Sequence, residues 1–442
     1  MYKVAGHNFP RKLTGPLPMA VKAEGVWITD AEGKRYLDAS GGAVVVNLGH
    51  GRAEIAQAVH EQIMNLHYAH PTMFTCPTVE RLADALASHA PAAITRFYFL
   101  SGGAEAVETA IKLARQVHLA NNRPQRIRLI ARWKSYHGLT LGALAATGRT
   151  TFRAPYAPLL SEVFHIPAPY CLRCDFGLKH PDCGLRCAQA LEDAIEALGP
   201  ETVSAFLGET VSGATIAAVP PPPGYWPRIR EICDRYGVYL IQDEVMCGLG
   251  RTGRWFASEH YGVVPDIVTF GKGISGGTVA LSAVGCREEL FEACCANGSF
   301  VHGGTYSHHP VAAAAGLAAL GILERERLVE RVAEMGPHLG RLLVARLGDH
   351  PQVADVRGIG FMWGVEFVAD RASLRPYPRS EQVTERLWSA LFKAGLITYK
   401  STGLAGVAGD ALVVAPPYVA TAEDMEFIVD RLGQAVEETL GR

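Results

Sequence analysis

Short runs rich in β-branched and aromatic residues recur along this chain, and helical patterns separate them. The runs cover residues 96–100, 127–130, 203–207, 238–241 and 267–270. Parallel strands need a connection long enough to hold a helix, so this alternation is typical of βαβ units. The sequence therefore predicts an α/β fold in which helices cover both faces of a mostly parallel sheet.

The pattern changes after Pro310. Two helical stretches lead to β-rich runs at residues 353–356 and 362–368, a helix at 381–393, and a further run at 411–414. Thr421 and Asp424 have the spacing of a helix-capping pair, which predicts a last helix starting there. This half of the pattern predicts a smaller α+β domain.

The composition excludes several classes of protein. The chain has 442 residues, 48% of them hydrophobic, and a formal net charge of −2. Such a composition argues against disorder, and the charge gives no electrostatic reason to bind nucleic acid or an anionic membrane. Residues 1–10 lack the apolar core of a signal peptide, and residues 312–323 are too few to span a bilayer. We expect a soluble, cytoplasmic protein.

Lys272 and Asp243 are the residues that point most directly to chemistry. Lys272 follows a β-rich run and lies among glycines, while Asp243 ends another run. A buried lysine loses its charge readily and can form a Schiff base, and open α/β sheets bind ligands at the carboxyl ends of their strands. The pair suggests a pyridoxal phosphate (PLP) site, with Asp243 paired to the pyridine nitrogen. The alternative is a core strand with a satisfied carboxylate and an unrelated lysine.

Three further segments add candidate binding residues. A glycine turn at Gly102, Gly103 and Ala104 precedes an amphipathic helix, whose start can bind a phosphate; a plain connecting turn is the alternative. Tyr136 could stack on a flat ring and His137 lies beside it, although both could be ordinary core residues. Glu209 ends another β-rich run and could orient a cofactor substituent; a structural carboxylate is the alternative.

The motifs of this chain, taken in order, resemble those of class III aminotransferases, PLP enzymes of fold type I. They begin at Ser101-Gly-Gly-Ala-Glu-Ala-Val-Glu-Thr-Ala, continue through Tyr136-His-Gly, Glu209-Thr-Val-Ser-Gly and Asp243-Glu-Val-Met-Cys-Gly-Leu-Gly-Arg-Thr-Gly, and end at Gly271-Lys-Gly and His302-Gly-Gly-Thr-Tyr-Ser. Several motifs in one order are far more specific than any one of them. The resemblance implies a mostly parallel, seven-stranded sheet in a large domain (residues 51–310). It also implies a small α+β domain that combines residues 1–50 with residues 311–442.

The resemblance also implies residue roles. Lys272 corresponds to the Schiff-base lysine and Asp243 to the partner of the pyridine nitrogen, with Val245 under the ring opposite Tyr136. Gly103 and Ala104 match the phosphate-binding turn. Thr305 matches a threonine that reaches the phosphate from the neighbouring subunit. The site would then be shared in a homodimer, and whether dimers pair into tetramers stays open.

The implied reaction is transamination. A primary amine or ω-amino acid gives its amino group to the cofactor while Lys272 moves the α-proton, and an oxo acid such as pyruvate or 2-oxoglutarate then receives the group. Racemisation or epimerisation of an amino acid is the main alternative, since the same residues serve it, and decarboxylating transamination is another. A non-catalytic regulator of the same fold would need an added DNA-binding domain or a broken site, and the sequence has neither.

The chain departs from many relatives at the position of a carboxylate-binding arginine. Val413 occupies that position, and Ala214 occupies that of the glutamate that neutralises the arginine when it is idle. The absence of both the arginine and the glutamate makes physical sense, because burying either charge without the other is costly. Arg149, Arg153 and Arg357 are the alternative arginines that could bind a substrate carboxylate.

Two pairs of cysteines lie close together in a long loop: Cys171 and Cys174, then Cys183 and Cys187. Four thiolates can hold zinc in a tetrahedral site, but the spacing is irregular. Reduced loop cysteines without a metal are the simpler interpretation, and we assign no metal site.

Overall fold

The computed structural model describes residues 7–13 and 15–441. Residues 1–6 lie outside the described part. They belong to the predicted N-terminal segment, residues 1–50, and to the first ten residues, which lack the apolar core of a signal peptide. The strands are β1 (Ala20–Glu24), β2 (Trp27–Asp30), β3 (Arg35–Asp38), β4 (Ile94–Leu100), β5 (Arg128–Arg132), β6 (Phe164–Ile166), β7 (Val203–Glu209), β8 (Tyr239–Asp243), β9 (Ile267–Phe270), β10 (Ser282–Arg287), β11 (Val353–Ile359), β12 (Met362–Phe367), β13 (Leu396–Ile397), β14 (Tyr399–Ala405) and β15 (Ala408–Val414).

The α-helices fall between and after these strands. They are α1 (Gly41–Val44), α2 (Ala53–Asn65), α3 (Pro77–His89), α4 (Gly103–Ala120), α5 (Leu141–Ala146), α6 (Thr150–Arg153), α7 (Arg186–Leu198), α8 (Tyr225–Tyr236), α9 (Glu288–Ala296), α10 (Pro310–Arg325), α11 (Leu328–Leu347), α12 (Val383–Lys393) and α13 (Ala422–Leu440). Thr421 and Asp424 cap α13 reciprocally, as predicted.

The central sheet has seven strands in the order β4-β10-β9-β8-β7-β5-β6. The pairs β9-β8, β8-β7, β7-β5 and β5-β6 are parallel, and β10 alone runs antiparallel to its neighbours. All seven residues of β7 are buried, as expected for a central strand covered on both faces. The predicted α/β fold with a mostly parallel sheet is confirmed.

Two four-stranded sheets complete the structure. One has the order β1-β2-β3-β13, so a C-terminal strand joins three N-terminal ones, and the other has the order β11-β12-β15-β14. Beyond residue 51, strands β6, β10, β13 and β14 were not predicted from the sequence. The boundaries at residues 50 and 310 stay predictions. Within the described ranges, we find no helix long and apolar enough to cross a bilayer.

Candidate active site

The carboxyl ends of the central parallel strands bring the predicted residues together. Glu209 ends β7 and Asp243 ends β8, and the two residues are direct partners in the parallel pairing. Lys272 lies two residues beyond the end of β9, the next strand in the sheet. This edge is where open α/β sheets bind ligands, because the connecting loops diverge there.

Asp243 is buried and its carboxylate is held on both sides. The Oδ2 atom lies 2.7 Å from Nδ1 of His137, and Oδ1 accepts a 3.0 Å hydrogen bond from the backbone N–H of Val245. The Nε2 atom of His137 is buried without a partner among the described residues. His137 therefore positions Asp243, and the ring nitrogen of a cofactor would be a partner for that carboxylate.

Glu209 fixes the loop that carries Tyr136. Its Oε2 accepts a hydrogen bond from the backbone N–H of Tyr136 at 3.2 Å, and its Oε1 accepts one from Gly213 at 3.0 Å. Burial raises the pKa of Glu209, against the opposing charge of His137. Burial also raises the pKa of Tyr136, so its phenol stays neutral at physiological pH.

Lys272 stands in an unusual backbone conformation between two glycines. Its φ of 46° lies in the left-handed region, which is sparsely populated by non-glycine residues and often marks functional sites. Burial lowers the pKa of Lys272, although the charges of Asp243 and Glu209 oppose the shift. A neutral amine is the form that attacks an aldehyde and accepts a proton.

The start of α4 forms the opposite wall. Glu105 accepts hydrogen bonds from the N–H groups of Ser101 and Gly102, at 3.0 and 3.2 Å. The N–H groups of Gly103 and Ala104 open the helix, where an α-helix provides no acceptor for them. A Cβ at Gly103 would lie 2.8 Å from Cγ1 of Val245, so only glycine fits this close approach.

These walls enclose a cavity of about 320 Å³. Nine predicted residues line it: Gly102, Gly103, Ala104, Tyr136, His137, Glu209, Asp243, Val245 and Lys272. Thr305 is exposed and does not line the cavity of this chain, so its predicted reach into a neighbouring subunit stays a prediction.

The cavity also contains residues to which the sequence analysis gave no cofactor role. They are Gly138, Leu139, Val211, Ala214 and Met246. Each lies within five residues of a predicted site residue, so loop proximity was the available signal. Without the fold, that signal cannot tell which loop side chains point inward.

The set of donors fits PLP. A buried carboxylate suits the pyridine nitrogen, a buried lysine with a lowered pKa suits the aldehyde, and a helix start suits the phosphate. The three lie around one cavity, and beside the helix start a Cβ at Gly102 would meet no heavy atom within 4 Å, which leaves open space there.

The structure ranks the three candidate arginines. Arg357 is paired with Glu366 at 2.8 Å and with Asp355 at 3.1 Å. Arg153 donates to three backbone carbonyls, those of residues 144, 145 and 147. Both guanidinium groups are therefore already engaged in holding the fold.

Arg149 differs from the other two. Its hydrogen bonds go to hydroxyl groups, at 2.8 Å to Thr402 and 3.3 Å to Thr151, and it forms no ion pair with a carboxylate of the described chain. Its charge reaches Tyr136 and Tyr399. It also lines a second cavity of about 380 Å³, which includes Thr215, the residue after Ala214.

The cysteine loop shows no metal site. Residues 7–13 and 15–441 contain no cluster of three or more histidine, cysteine or acidic side chains able to hold a metal ion. Cys171, Cys174, Cys183 and Cys187 are free thiols. Burial raises the pKa of Cys187 to about 11, so this thiol stays protonated at neutral pH when no metal is bound. The absence of a metal site at these four cysteines stays a prediction.

Known proteins resemble this chain both in sequence and in fold. The family described as Aminotransferase class-III matches residues 10–436. A probable aminotransferase, Rv3329, of Mycobacterium tuberculosis is 40% identical over 96% of this chain and 90% of its own length. The putrescine–pyruvate aminotransferase of Pseudomonas aeruginosa is 34% identical over 95% of this chain and 92% of its own. The crystal structure of an (S)-enantioselective ω-transaminase from Thermomicrobium roseum has a TM-score of 0.92 and 40% identity, and covers 99% of this chain and 97% of that one.

Proposed function

The chain belongs to the class-III aminotransferase family, whose enzymes depend on PLP, and we propose that it transfers an amino group from a primary amine or ω-amino acid to a 2-oxo acid such as pyruvate or 2-oxoglutarate. The observation that carries the proposal is the meeting of Lys272 and Asp243 in one cavity, at the carboxyl ends of parallel strands. The putrescine–pyruvate relative supports an amine donor of this kind.

The proposed roles follow from the surroundings of each residue. Bound PLP supplies an aldehyde that captures the donor's amino group and a ring that accepts electrons from its α-carbon. Lys272, whose pKa is lowered by burial, holds the cofactor and then removes and returns the substrate's α-proton. Asp243, oriented by His137, keeps a proton on the ring nitrogen.

Other residues bind and orient. The N–H groups of Gly103 and Ala104 are proposed to bind the phosphate, where the helix dipole also favours an anion. Tyr136 and Val245 are proposed to hold the two faces of the ring. Both line the cavity, and the side chain of Val245 packs close to Gly103.

We propose that Arg149 binds the substrate carboxylate. Val413 and Ala214 provide no charge at the positions that many relatives use, and Arg153 and Arg357 are engaged elsewhere. Arg149 is a partly buried cation without a carboxylate partner among the described residues, and it lies within electrostatic reach of Tyr136. A carboxylate-bearing substrate would supply the missing partner.

Replacing Arg149 tests this assignment. Arg149→Met should raise KM for pyruvate and for ω-amino acids about 10- to 100-fold, because the loss of a hydrogen-bonded ion pair weakens binding by a factor of this size. The KM for an amine without a carboxylate, such as benzylamine, should change little. Arg153→Met is the matched control and should show no selectivity for carboxylates. An equal effect of Arg149→Met on both substrate classes would contradict the assignment.

We also propose a homodimer with shared sites, and a cytoplasmic location. Exposed apolar side chains support the dimer: Val301 and Tyr306 flank Thr305 at 82% and 62% exposure, and Met73 and Phe74 are 73% and 67% exposed. Apolar surface of this kind marks interaction sites. Light scattering of the purified protein tests the assembly, and a monomer would refute it.

A further inference from the structure

The guanidinium of Arg149 is held by contacts that leave part of it free. Its Nη2 atom donates a 2.8 Å hydrogen bond to Oγ1 of Thr402, and its Nε atom donates a longer one, 3.3 Å, to Oγ1 of Thr151. Its Cζ atom lies 4.4 Å from the centre of the Phe152 ring. Within the described part of the chain, the hydrogen bonds of Arg149 come from Nε and Nη2, so Nη1 keeps both of its N–H groups for a ligand.

The Phe152 ring connects Arg149 to the cofactor cavity. It meets the Tyr136 ring edge-on, with the ring centres 6.0 Å apart and an angle of 74° between the planes. Tyr136 lines the cofactor cavity, and Arg149 lines the second cavity. One aromatic ring therefore contacts both the residue proposed to stack on the cofactor and the residue proposed to bind the substrate.

The charges that line the second cavity favour an anion. They belong to Lys134, Arg149 and Asp175. Nζ of Lys134 lies 2.6 Å from Oδ1 of Asp175, so these two charges neutralise each other. Arg149 therefore provides the uncompensated charge of this cavity, and a carboxylate suits its planar group of N–H donors.

Thr402 is the better fixed of the two hydroxyl partners of Arg149. It lies in β14, where its direct antiparallel partner is Asp410 of β15. Asp410 is buried, and its Oδ1 accepts hydrogen bonds from the backbone N–H and the hydroxyl of Thr384 in α12, at 3.0 and 2.8 Å. Thr151, by contrast, is exposed in the four-residue helix α6. Thr402 is thus a rigid acceptor on a strand pair that is tied to a helix.

We propose that Thr402 is a positioning residue that determines specificity: its hydroxyl fixes Arg149 in the orientation that binds a substrate carboxylate. The proposal rests on the role of Arg149 in the proposed function. Without the hydroxyl, the positive charge remains but the guanidinium can rotate, and ordering it again weakens carboxylate binding. A purely structural threonine would support β14 whether or not Arg149 is present, so the two roles can be separated by experiment.

The test measures the binding of butyrate to the PLP-loaded enzyme. Butyrate has a carboxylate but no amino group, so it binds without reacting, and ligand-observed NMR reports weak binding of this kind. Thr402→Val keeps the shape of the side chain and removes its hydroxyl. It should raise Kd for butyrate about fivefold, because one hydrogen bond makes a net contribution of this size. Thr402→Ser keeps a hydroxyl and should restore the wild-type Kd.

A double variant separates positioning from structural support. If Thr402 acts through Arg149, adding Thr402→Val to Arg149→Met should raise Kd no further, because the two changes remove the same interaction. Ser401→Ala is the matched control. Ser401 is the neighbouring residue of β14 on the opposite face, and its buried hydroxyl has no hydrogen-bond partner among residues 7–13 and 15–441. Ser401→Ala should leave Kd unchanged.

The results distinguish this proposal from the proposed function. An unchanged Kd in Thr402→Val, or an equal increase with and without Arg149, overturns the role of Thr402. If Thr402→Val does not fold, Thr402→Ala replaces it in the same comparison. A wild-type enzyme that binds no butyrate overturns the roles of both Arg149 and Thr402. The expected Kd pattern in an enzyme that transaminates no amine leaves both roles intact and refutes the proposed transamination instead.

Discussion

The carboxylate of Asp243 is restrained by His137 and by the backbone of Val245, so it can face a ring nitrogen without rearrangement. Asp243→Asn retains the shape but loses the negative charge that keeps such a nitrogen protonated. We expect kcat/KM to fall about 100-fold or more, because the loss of a group that assists proton transfer typically has an effect of this size. Stopped-flow spectroscopy of the reaction with the donor alone measures the effect. A variant with wild-type rates would show that Asp243 is not the ring partner.

For single residues, the sequence predicts which residue types lie in which loops. The tertiary structure decides which of these side chains face the cavity and which are already engaged in other contacts. Nine of the predicted residues line one cavity because each follows a parallel strand or opens the helix after it. The ranking of Arg149 over Arg153 and Arg357 could not be predicted. It depends on carbonyls and carboxylates that only the fold brings near each guanidinium.

The start of α4 depends on one close contact. A Cβ at Gly103 would meet Val245 at 2.8 Å, whereas a Cβ at Gly102 has no heavy atom within 4 Å. Gly103→Ala should displace Val245 and weaken PLP binding about 10-fold, the effect of ~1.4 kcal/mol of overpacking. Fluorescence titration of the apoenzyme with PLP measures the affinity. Gly102→Ala should cause a smaller loss, and equal losses would contradict the steric explanation.

Among the elements beyond residue 51, long strands and helices with clear patterns were predicted, and four strands were missed. β10 contains Gly285, where a Cβ would lie 2.7 Å from Ile94. Close packing therefore requires a glycine at this position, and the strand lacks the run of β-branched residues by which strands were predicted. β14 mixes polar residues and glycine, β6 has three residues, and β13 has only two. Strands of this kind form because neighbouring strands provide their hydrogen bonds, which a local pattern does not report.

The whole molecule should lose stability as the pH falls below neutrality. Burial lowers the pKa of His118 and of His165 from 6.5 to about 4. The unfolded chain therefore binds protons below pH 6.5 that the folded chain takes up only near pH 4, so stability falls through this window. His118→Gln should reduce the slope of Tm against pH between 6.5 and 4. An unchanged slope would contradict the neutral, buried state of His118.

The proposed shared site can be tested with hybrid dimers. Lys272→Ala should be inactive and Thr305→Val should bind PLP weakly. If Thr305 acts from the partner subunit, a hybrid of the two variants contains one site with both native residues. Unfolding and refolding the mixture should therefore restore activity that neither variant has alone. Mixtures no more active than their components would place Thr305 in its own subunit's site, or outside any site.

The α/β architecture of the molecule was predictable because many elements repeat one pattern, and a single misjudged strand does not change the class. The assembly was not predictable in the same way. Exposed apolar residues such as Val301 and Met73 are consistent with the proposed homodimer, but their exposure does not specify the number of subunits.

The reaction with a single substrate tests the central claim most directly. The PLP-loaded enzyme is mixed with one amine at a time and no oxo acid, and the visible absorbance of the lysine-bound cofactor is followed together with released carbonyl product. β-Alanine, 4-aminobutyrate, putrescine, taurine, benzylamine and both alanine enantiomers form the panel. The account predicts bleaching with one carbonyl released per site for at least one amine, and no bleaching in Lys272→Ala. An absorbance band that persists while an enantiopure amino acid loses its optical rotation, or that responds to no amine, would contradict it.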